Sequence, residues 1–429
     1  VLTLAIALAL TQTSQHALFK QPNLPASTPA FFEAFNGAGT LGPCSTTPPT
    51  GAKGEAMTTI RASGITCTKT AAGGLATTGI ADGDLVMLGN NVPAIEYDRG
   101  ILGPLSERAS TNGLIKSRLP CNAAWGDVGT PNCTANVATG PWGGTTMASI
   151  TDDAAGAFEG RSQVIATTSA TVHSVSCYVK WSSGTPASAS LVLAGTGSAT
   201  GDCTGTMTGL SATSSARISC SSSAAYGGAL TAVTVTIRVG TVVGDQGTLL
   251  VEGCQWEPAA GYPTSFIETD AAAATRAAPT MYFNTPLPPS DTGSMAATLT
   301  AEWVGPSANS SPLLVATSVA ASPGNDLIFL NSPSSSAVSW RCVSANNGAG
   351  VFNTGAAAVG TGPWRSYCAM TPGGTVTGSW GGNAMTASAA QSGTFTAAAY
   401  LHVGQVGGSN HVDGIVTQIC RDPDSTRCR

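Results

Sequence analysis

Apolar and polar residues alternate with a period of two through two long stretches of the chain. Between residues 105 and 275 the runs are TVHSVSCYVKW (171–181), SASLVLAG (188–195), ARISCS (216–221), LTAVTVTIRVG (230–240) and TLLVEGCQWE (248–257). Val233, Val235, Ile237 and Val239 alternate most cleanly. This spacing puts every second side chain on one face of an extended strand, so it predicts half-buried strands. A second series follows a Pro/Ala seam at 271–290: MAATLTAEWVG (295–305), SPLLVATSV (311–319), NDLIFLN (325–331), AVSWRCVS (337–344), WRSYCAMT (364–371), AAAYLHVGQV (397–406) and HVDGIVTQICR (411–421). Gly, Ser and Thr punctuate both series, and no helical stripe of useful length occurs. Many short strands with turn signals between them predict β-sandwiches.

Residues 20–60 are rich in Pro, Gly, Thr and Ala. Pro at that density disfavours helices and central strands. The segment reads as an extended linker with an aromatic cluster, Phe31, Phe32 and Phe35, that docks on a neighbour. Val1–Leu10 is almost purely apolar but too short to span a bilayer, which takes about 20 residues. Two readings of it stand side by side: the apolar core of a signal peptide, or a retained segment of residues 1–17 packed inside an assembly. Either points to export or assembly. The expected organisation is an all-β chain of two jelly-roll β-sandwiches behind an extended N-terminal segment. Its parts are the apolar segment and linker (1–57), a small connecting region (58–104), a first sandwich (105–279) and a second (280–429).

Composition sharpens this picture. Of 429 residues only 10% are charged while 42% are hydrophobic, a balance that supports packed cores and argues against disorder. The net charge is −5 with no basic stripe, so nucleic acid is not an expected partner. The 12 cysteines are Cys44, Cys67, Cys121, Cys133, Cys177, Cys203, Cys220, Cys254, Cys342, Cys368, Cys420 and Cys428. None lies in a CxxC pair, which leaves zinc and redox readings little support. Several sit at hairpin or loop spacing: 121 with 133, 203 with 220, 342 with 368, 420 with 428. Cys177 with Cys254 reads as a longer link within one domain. Spacing leaves the connectivity open. Structural disulfides persist in oxidising compartments, so the expected location is extracellular, on a cell or virion surface.

Chemistry is sparse. A glycosidase needs two carboxylates flanking the sugar bond, and the acids of the second sandwich (Asp291, Glu302, Asp326, Asp413, Asp422 and Asp424) hold no such pair at strand spacing. A GxSxG elbow is absent from the sequence. No enzyme is expected. Asn325, Asp326 and Asp413 are candidate calcium ligands, since hard oxygen donors suit that ion; calcium is the one cofactor considered. Sugar binding needs an aromatic face beside polar donors. Trp125, Trp256, Trp303 and Trp364 fall in strand patterns and read as core. Trp142 (GPWGG) and Trp380 (GSWGG) stand among glycines, on expected turns, and are the candidate glycan platform.

Three segments resemble tandem β-sandwich proteins of phage tail fibres, prophages and bacterial surfaces. RGILGPLSERASTNGLIKSRLPCNAAW (99–125) is similar to that family's entry signature, with Glu107, Thr111, Asn112 and Ala123-Ala124-Trp125 at its positions. LLVEGCQWEPAAGYPTSFIETDAAAATRAAPTMYF (249–283) resembles its closing strand, with Gln255, Glu257, Pro263, Thr264, Ser265, Thr275 and Arg276. WRSYCAMTPGGTVTGSWGGN (364–383) resembles a strand pair of laminin-G/concanavalin A-like jelly rolls. The resemblance implies a carbohydrate-binding-module-like sandwich followed by a concanavalin A-like one. It implies a structural role for Glu107, Asn112, Trp125, Gln255, Glu257 and Arg276 in buried hydrogen bonds and ion pairs. The cysteine content departs from virion members of the family. The expected function is a non-enzymatic subunit of a surface fibre, filament or virion appendage that self-associates into a homo-oligomer or filament. The alternative is an adhesin or receptor-binding protein for surface glycans; an endoglycosidase is the weakest.

Overall fold

The computed structural model describes residues 101–287, apart from 155–157, 185–187 and 241–245, together with separate strands and turns of the flanking regions. Ten strands build the first sandwich: β1 (Gly126–Val128), β2 (Asn132–Thr139), β3 (Thr145–Asp152), β4 (Gly160–Ala166), β5 (His173–Ser183), β6 (Ser190–Thr196), β7 (Cys203–Thr206), β8 (Ala216–Ser221), β9 (Ala232–Arg238) and β10 (Gly247–Pro258). They form two five-stranded sheets in the orders β7-β6-β9-β4-β1 and β8-β5-β10-β3-β2. Every pairing is antiparallel. From β3 onward the chain switches sheets by the double Greek-key path of a jelly roll.

The period-two pattern decides which face of each strand goes inside. Val233, Val235 and Ile237 of β9, Leu191 and Leu193 of β6, and Val175, Cys177, Val179 and Trp181 of β5 all point between the sheets and are buried. Trp125, Trp256, Tyr226, Leu249 and Val251 complete this core. Burying each large apolar side chain contributes about 1.5–3 kcal/mol. Trp125 was expected on a strand; it lies in the turn before β1. A single aromatic residue inside a polar run carries no period, so the pattern could not distinguish the two.

Three disulfides brace this sandwich: Cys121–Cys133, Cys177–Cys254 and Cys203–Cys220. Cys177–Cys254 links the adjacent strands β5 and β10 within the core, where both residues are fully buried. Cys368 is also disulfide-bonded. Pairings of Cys44, Cys67, Cys342, Cys420 and Cys428 lie outside the described residues. Disulfides of this number mark a protein of an oxidising, extracellular or secretory environment.

The burial of β10 departs from simple alternation, since residues 249–257 are buried on both faces. Segments 107–118 and 262–276, joined by a short ribbon of Ser110–Asn112 with Ala274–Arg276, lie over its outer side. Outside this sandwich local hairpins alternate with pairings between segments far apart in the chain. Met57–Ile60 pairs with Thr280–Leu287, which pairs in turn with Ala398–Val403. Gly414–Asp422 pairs with Gly293–Ala301 on one side and with Ile101–Ser106 and Phe31–Glu33 on the other. The segment expected as a connecting region (58–104) therefore supplies strands to the C-terminal sheets, and residue 105 falls inside one of them. Short strands specify an edge to pair with but not its distance along the chain, so sequence pattern alone does not reveal this.

Candidate functional site

The outer face of the β5 sheet carries the densest set of aromatic and charged side chains among the described residues. Its centre is the β2–β3 hairpin, whose tip is Gly140-Pro141-Trp142-Gly143-Gly144. Gly143 and Gly144 have φ of 73° and 72°, backbone that side chains strain to adopt. Gly143 N–H donates to the Gly140 carbonyl at 3.0 Å and Gly140 N–H to the Gly144 carbonyl at 3.1 Å. The tip thereby folds back over the sheet. A side chain at Gly140 would collide with the Glu252 carboxylate, and one at Gly253 (φ 63°) with the Trp142 ring. Both glycines are needed for the close approach.

Trp142 consequently lies against the sheet. Its ring meets Tyr178 edge-on at 5.3 Å and Phe266 at 4.7 Å, and the Arg118 guanidinium sits 4.8 Å from its centre. Trp142 and Tyr178 are half-buried while Phe266 is buried. The Trp142 Nε1–H is buried and finds no acceptor among the described residues. Beneath this cluster Glu252 is fully buried. It accepts hydrogen bonds from Arg118 Nε (2.8 Å), Arg118 Nη2 (2.6 Å) and Thr146 Oγ1 (2.9 Å). Burial raises its pKa, and Arg118 opposes that rise. Glu268, half-exposed, stands 3.7 Å from Arg118.

Two more cations flank Tyr178. Arg217, its cross-strand partner on β8, donates to Ser176 Oγ at 2.9 and 3.1 Å and lies 5.5 Å above the Tyr178 ring. Lys180, two residues along β5 on the same face, donates to the Thr139 carbonyl at 2.8 Å. The result is a row of Arg217, Tyr178, Trp142 and Arg118 across the sheet. Such a surface can stack a flat apolar face and donate hydrogen bonds at its rim.

A separate buried network lies on the same side of the sheet. Glu107 accepts from Ser265 N–H (2.7 Å) and Ser265 Oγ (2.6 Å) and pairs with Arg276 at 3.0 Å. Asn112 donates to the carbonyls of Cys254 and Ile267 and accepts from the N–H groups of Leu114 and Trp256. Gln255 donates to Glu257 and accepts from Ile267 N–H at 2.6 Å. Glu257 further accepts from Thr264 N–H, Thr264 Oγ1 and Ser110 Oγ. These side chains fasten segments 107–118 and 262–276 to β10. The Trp125 indole N–H donates to the Lys116 carbonyl at 3.4 Å.

Other expected site residues do not join this face. Trp380, expected on a turn, ends the strand Thr377–Trp380 and pairs with Asn383 and Ser366; one glycine-flanked residue cannot tell the last strand position from the turn after it. Asn325, Asp326 and Asp413 lie outside the described residues, as do the side chains of the C-terminal acids. Among the described residues no cluster of three or more His, Cys, Asp or Glu could hold a metal ion. Tyr178, Arg118, Arg217, Lys180 and Glu252 were not singled out in the sequence. For the four on strands the available signal was their outward position among alternate apolar residues; Arg118 lies in a turn, where no period marks it.

No protein-family model matches the chain, and no curated protein matches it. Among solved structures it is similar to the full extracellular region of zebrafish Gpr126/Adgrg6, at 10% identity and a TM-score of 0.21, over 65% of this chain and 36% of that one. This chain thus spans about a third of that region. It is also similar to the N-terminal CBM22-1–CBM22-2 tandem domain of Paenibacillus barcinonensis Xyn10C, at 9% identity and a TM-score of 0.26, over 74% of this chain and 99% of that one. Likenesses at this level carry no argument about what this chain binds.

Proposed function

We propose that this chain is a non-enzymatic adhesive protein of an extracellular surface, and that the outer face of the β5 sheet holds a saccharide. The observation that carries the reading is the half-buried pair Trp142 and Tyr178, 5.3 Å apart and rimmed by Arg118, Arg217, Lys180 and Glu268. Sugar rings present C–H faces that stack on aromatic rings and hydroxyls that take hydrogen bonds from a polar rim. Disulfides and a surface poor in charge suit a long-lived protein outside the cell. The resemblance of residues 99–125 and 249–283 to tandem β-sandwich tail-fibre and bacterial surface proteins supports the same class. The test is a glycan array probed with the full chain and with Trp142→Ala, Tyr178→Leu and Trp380→Ala. Loss of binding in the first two is expected. Variants that bind like wild type, with unchanged near-ultraviolet circular dichroism elsewhere, would remove this face from the reading.

A second reading, a self-associating subunit of a fibre, filament or virion appendage, draws on the outer face of the β6 sheet. Ser162, Val164, Ala194, Val192, Thr234 and Thr236 lie side by side there by register, and Val164 is 66% exposed. These six side chains carry no charge; Val192 and Thr236 are already buried, and Val164 is the large apolar residue left open on this face, without a charged guard beside it in the register. Light scattering of wild type and Val164→Lys tests it. A homo-oligomer that dissociates in the variant supports it, and a monomeric wild type at micromolar concentration removes it.

A further inference from the structure

We infer that the saccharide taken by this face carries a carboxylate, and that Arg217 and Lys180 recognise it. The inference rests on the saccharide-binding reading above and names the class of its ligand. Most cations near this face are spent on acids of the chain. Lys116 pairs with Asp270, Arg276 with Glu107, and Arg118 with Glu252 and Glu268. Arg217 and Lys180 differ, because neither forms an ion pair with a carboxylate among the described residues. Arg217 gives Nε and Nη2 to Ser176 Oγ, and Lys180 gives one N–H to the Thr139 carbonyl. These contacts fix the two side chains without neutralising them. Nη1 of Arg217 and two hydrogens of Lys180 stay available to an acceptor.

Their placement matches the need. Tyr178 lies between them on the same face: Arg217 is its cross-strand partner and stands over its ring, and Lys180 is the next outward residue of β5. A saccharide laid along the half-buried rims of Tyr178 and Trp142 would turn a ring substituent toward one cation or the other. The acids facing the patch are Glu252, held by Arg118 under the Trp142 ring, and Glu268, 3.7 Å from that same arginine. Glu252 is the neighbour of Tyr178 on β10, on the side away from Arg217, and Lys180 reaches the Thr139 carbonyl beside Gly140 on that same side, where Arg118 already counters the Glu252 charge; attraction of an anionic ligand is therefore least opposed on the β8 side, at Arg217. A guanidinium already oriented by two hydrogen bonds loses little freedom when it binds a carboxylate.

The experiment is calorimetric titration of the full chain with four probes: a galacturonic acid hexamer, its methyl ester, a neutral galactose hexamer and a sialylated oligosaccharide. The acid forms are expected to bind about tenfold tighter than the ester or the neutral sugar, the gain of one charge-assisted hydrogen bond. Arg217→Gln and Lys180→Gln should remove that preference, leave the weak neutral affinity in place and flatten the salt dependence. Which acid binds identifies a uronate or a sialate as the source. Equal affinity for acid and ester, lost in Trp142→Ala, overturns this inference and leaves the saccharide reading standing. Preference for the acid that survives in both Gln variants also overturns it. No binding to any probe by the wild-type chain overturns both.

Discussion

Arg276 Nη1 lies 3.0 Å from Glu107 Oε2, with both side chains almost wholly buried, and the pair closes the first sandwich at its two chain ends. Arg276 is also held by the Ser265 carbonyl at 2.9 Å and the Arg108 carbonyl at 3.2 Å. Its Nε is buried without an acceptor, and Glu107 is its one carboxylate partner, among the described residues. Arg61, also buried, feels Arg276 as a like charge and Glu107 as an opposite one; burial and Arg276 bring its pKa down to about 10. Glu107→Ala leaves a buried guanidinium without its partner and should cost about 3–5 kcal/mol. Urea unfolding followed by tryptophan fluorescence measures it. A loss below about 1 kcal/mol would mean that water or another carboxylate replaces Glu107.

Gly253 is the position at which β10 accommodates Trp142. Its φ of 63° strains any side chain, and a methyl group there meets the indole. Gly253→Ala should destabilise the sandwich by about 2 kcal/mol or more. It should also change the near-ultraviolet circular dichroism, because the Trp142–Tyr178–Phe266 contacts open. Gly261→Ala, with open space around it, should change neither.

Cys177–Cys254 closes a loop with a sequence separation of 77. In the chain-entropy model such a bond stabilises by about 4–5 kcal/mol. The Cys177→Ala/Cys254→Ala double variant should lower the urea midpoint strongly. The Cys121–Cys133 bond, with a separation of 12, should matter less when removed in the same way, by about 3 kcal/mol. Comparable midpoints for the two variants would argue that core packing, and not loop closure, dominates.

His173 is fully buried against Tyr226 and Trp256. Its Nε2–H donates to the Ser169 carbonyl at 2.9 Å, and Nδ1 finds no donor among the described residues. Protonation would put a charge on Nδ1 with nothing to accept its proton, and burial lowers the pKa although the Ser169 contact opposes this. The folded state then binds fewer protons than the unfolded chain between the lowered value and about 6.5. Stability is full above about pH 6.5 and falls as pH drops toward the folded value. His173→Gln should remove the part of the pH dependence that sets in as pH drops below about 6.5. Unfolding midpoints at several pH values check this, and identical slopes for variant and wild type would contradict it.

Much of the first sandwich was legible in the chain. Val233, Val235 and Ile237 announced a half-buried strand because a pleat sends alternate residues to opposite faces. Cys203 and Cys220 were readable as partners from loop spacing, and the loop that bridges them carries the chain from β7 to β8, in the opposite sheet. Trp142 stood out through its glycines, which permit the positive φ of a folded-back tip. Its neighbours did not stand out. Tyr178 and Arg217 become one patch only through the pairing of β5 with β8, and Glu252 becomes a buried anion only once the hairpin tip and Arg118 cover it. Met57–Ile60 gave no sign that it would pair with Thr280–Leu287.

The order of apolar and polar residues by itself determined that this is a chain of strands and which side of an alternating strand such as β9 faces a core, and the cysteine content pointed to an oxidising milieu. Those properties are local or compositional, so they survive in one dimension. Which strands lie side by side, which polar side chains are sealed under loops and which cations keep no carboxylate were decided only by the tertiary structure. Each depends on contacts between residues far apart in the chain, and a period of two records a face without recording the partner across it.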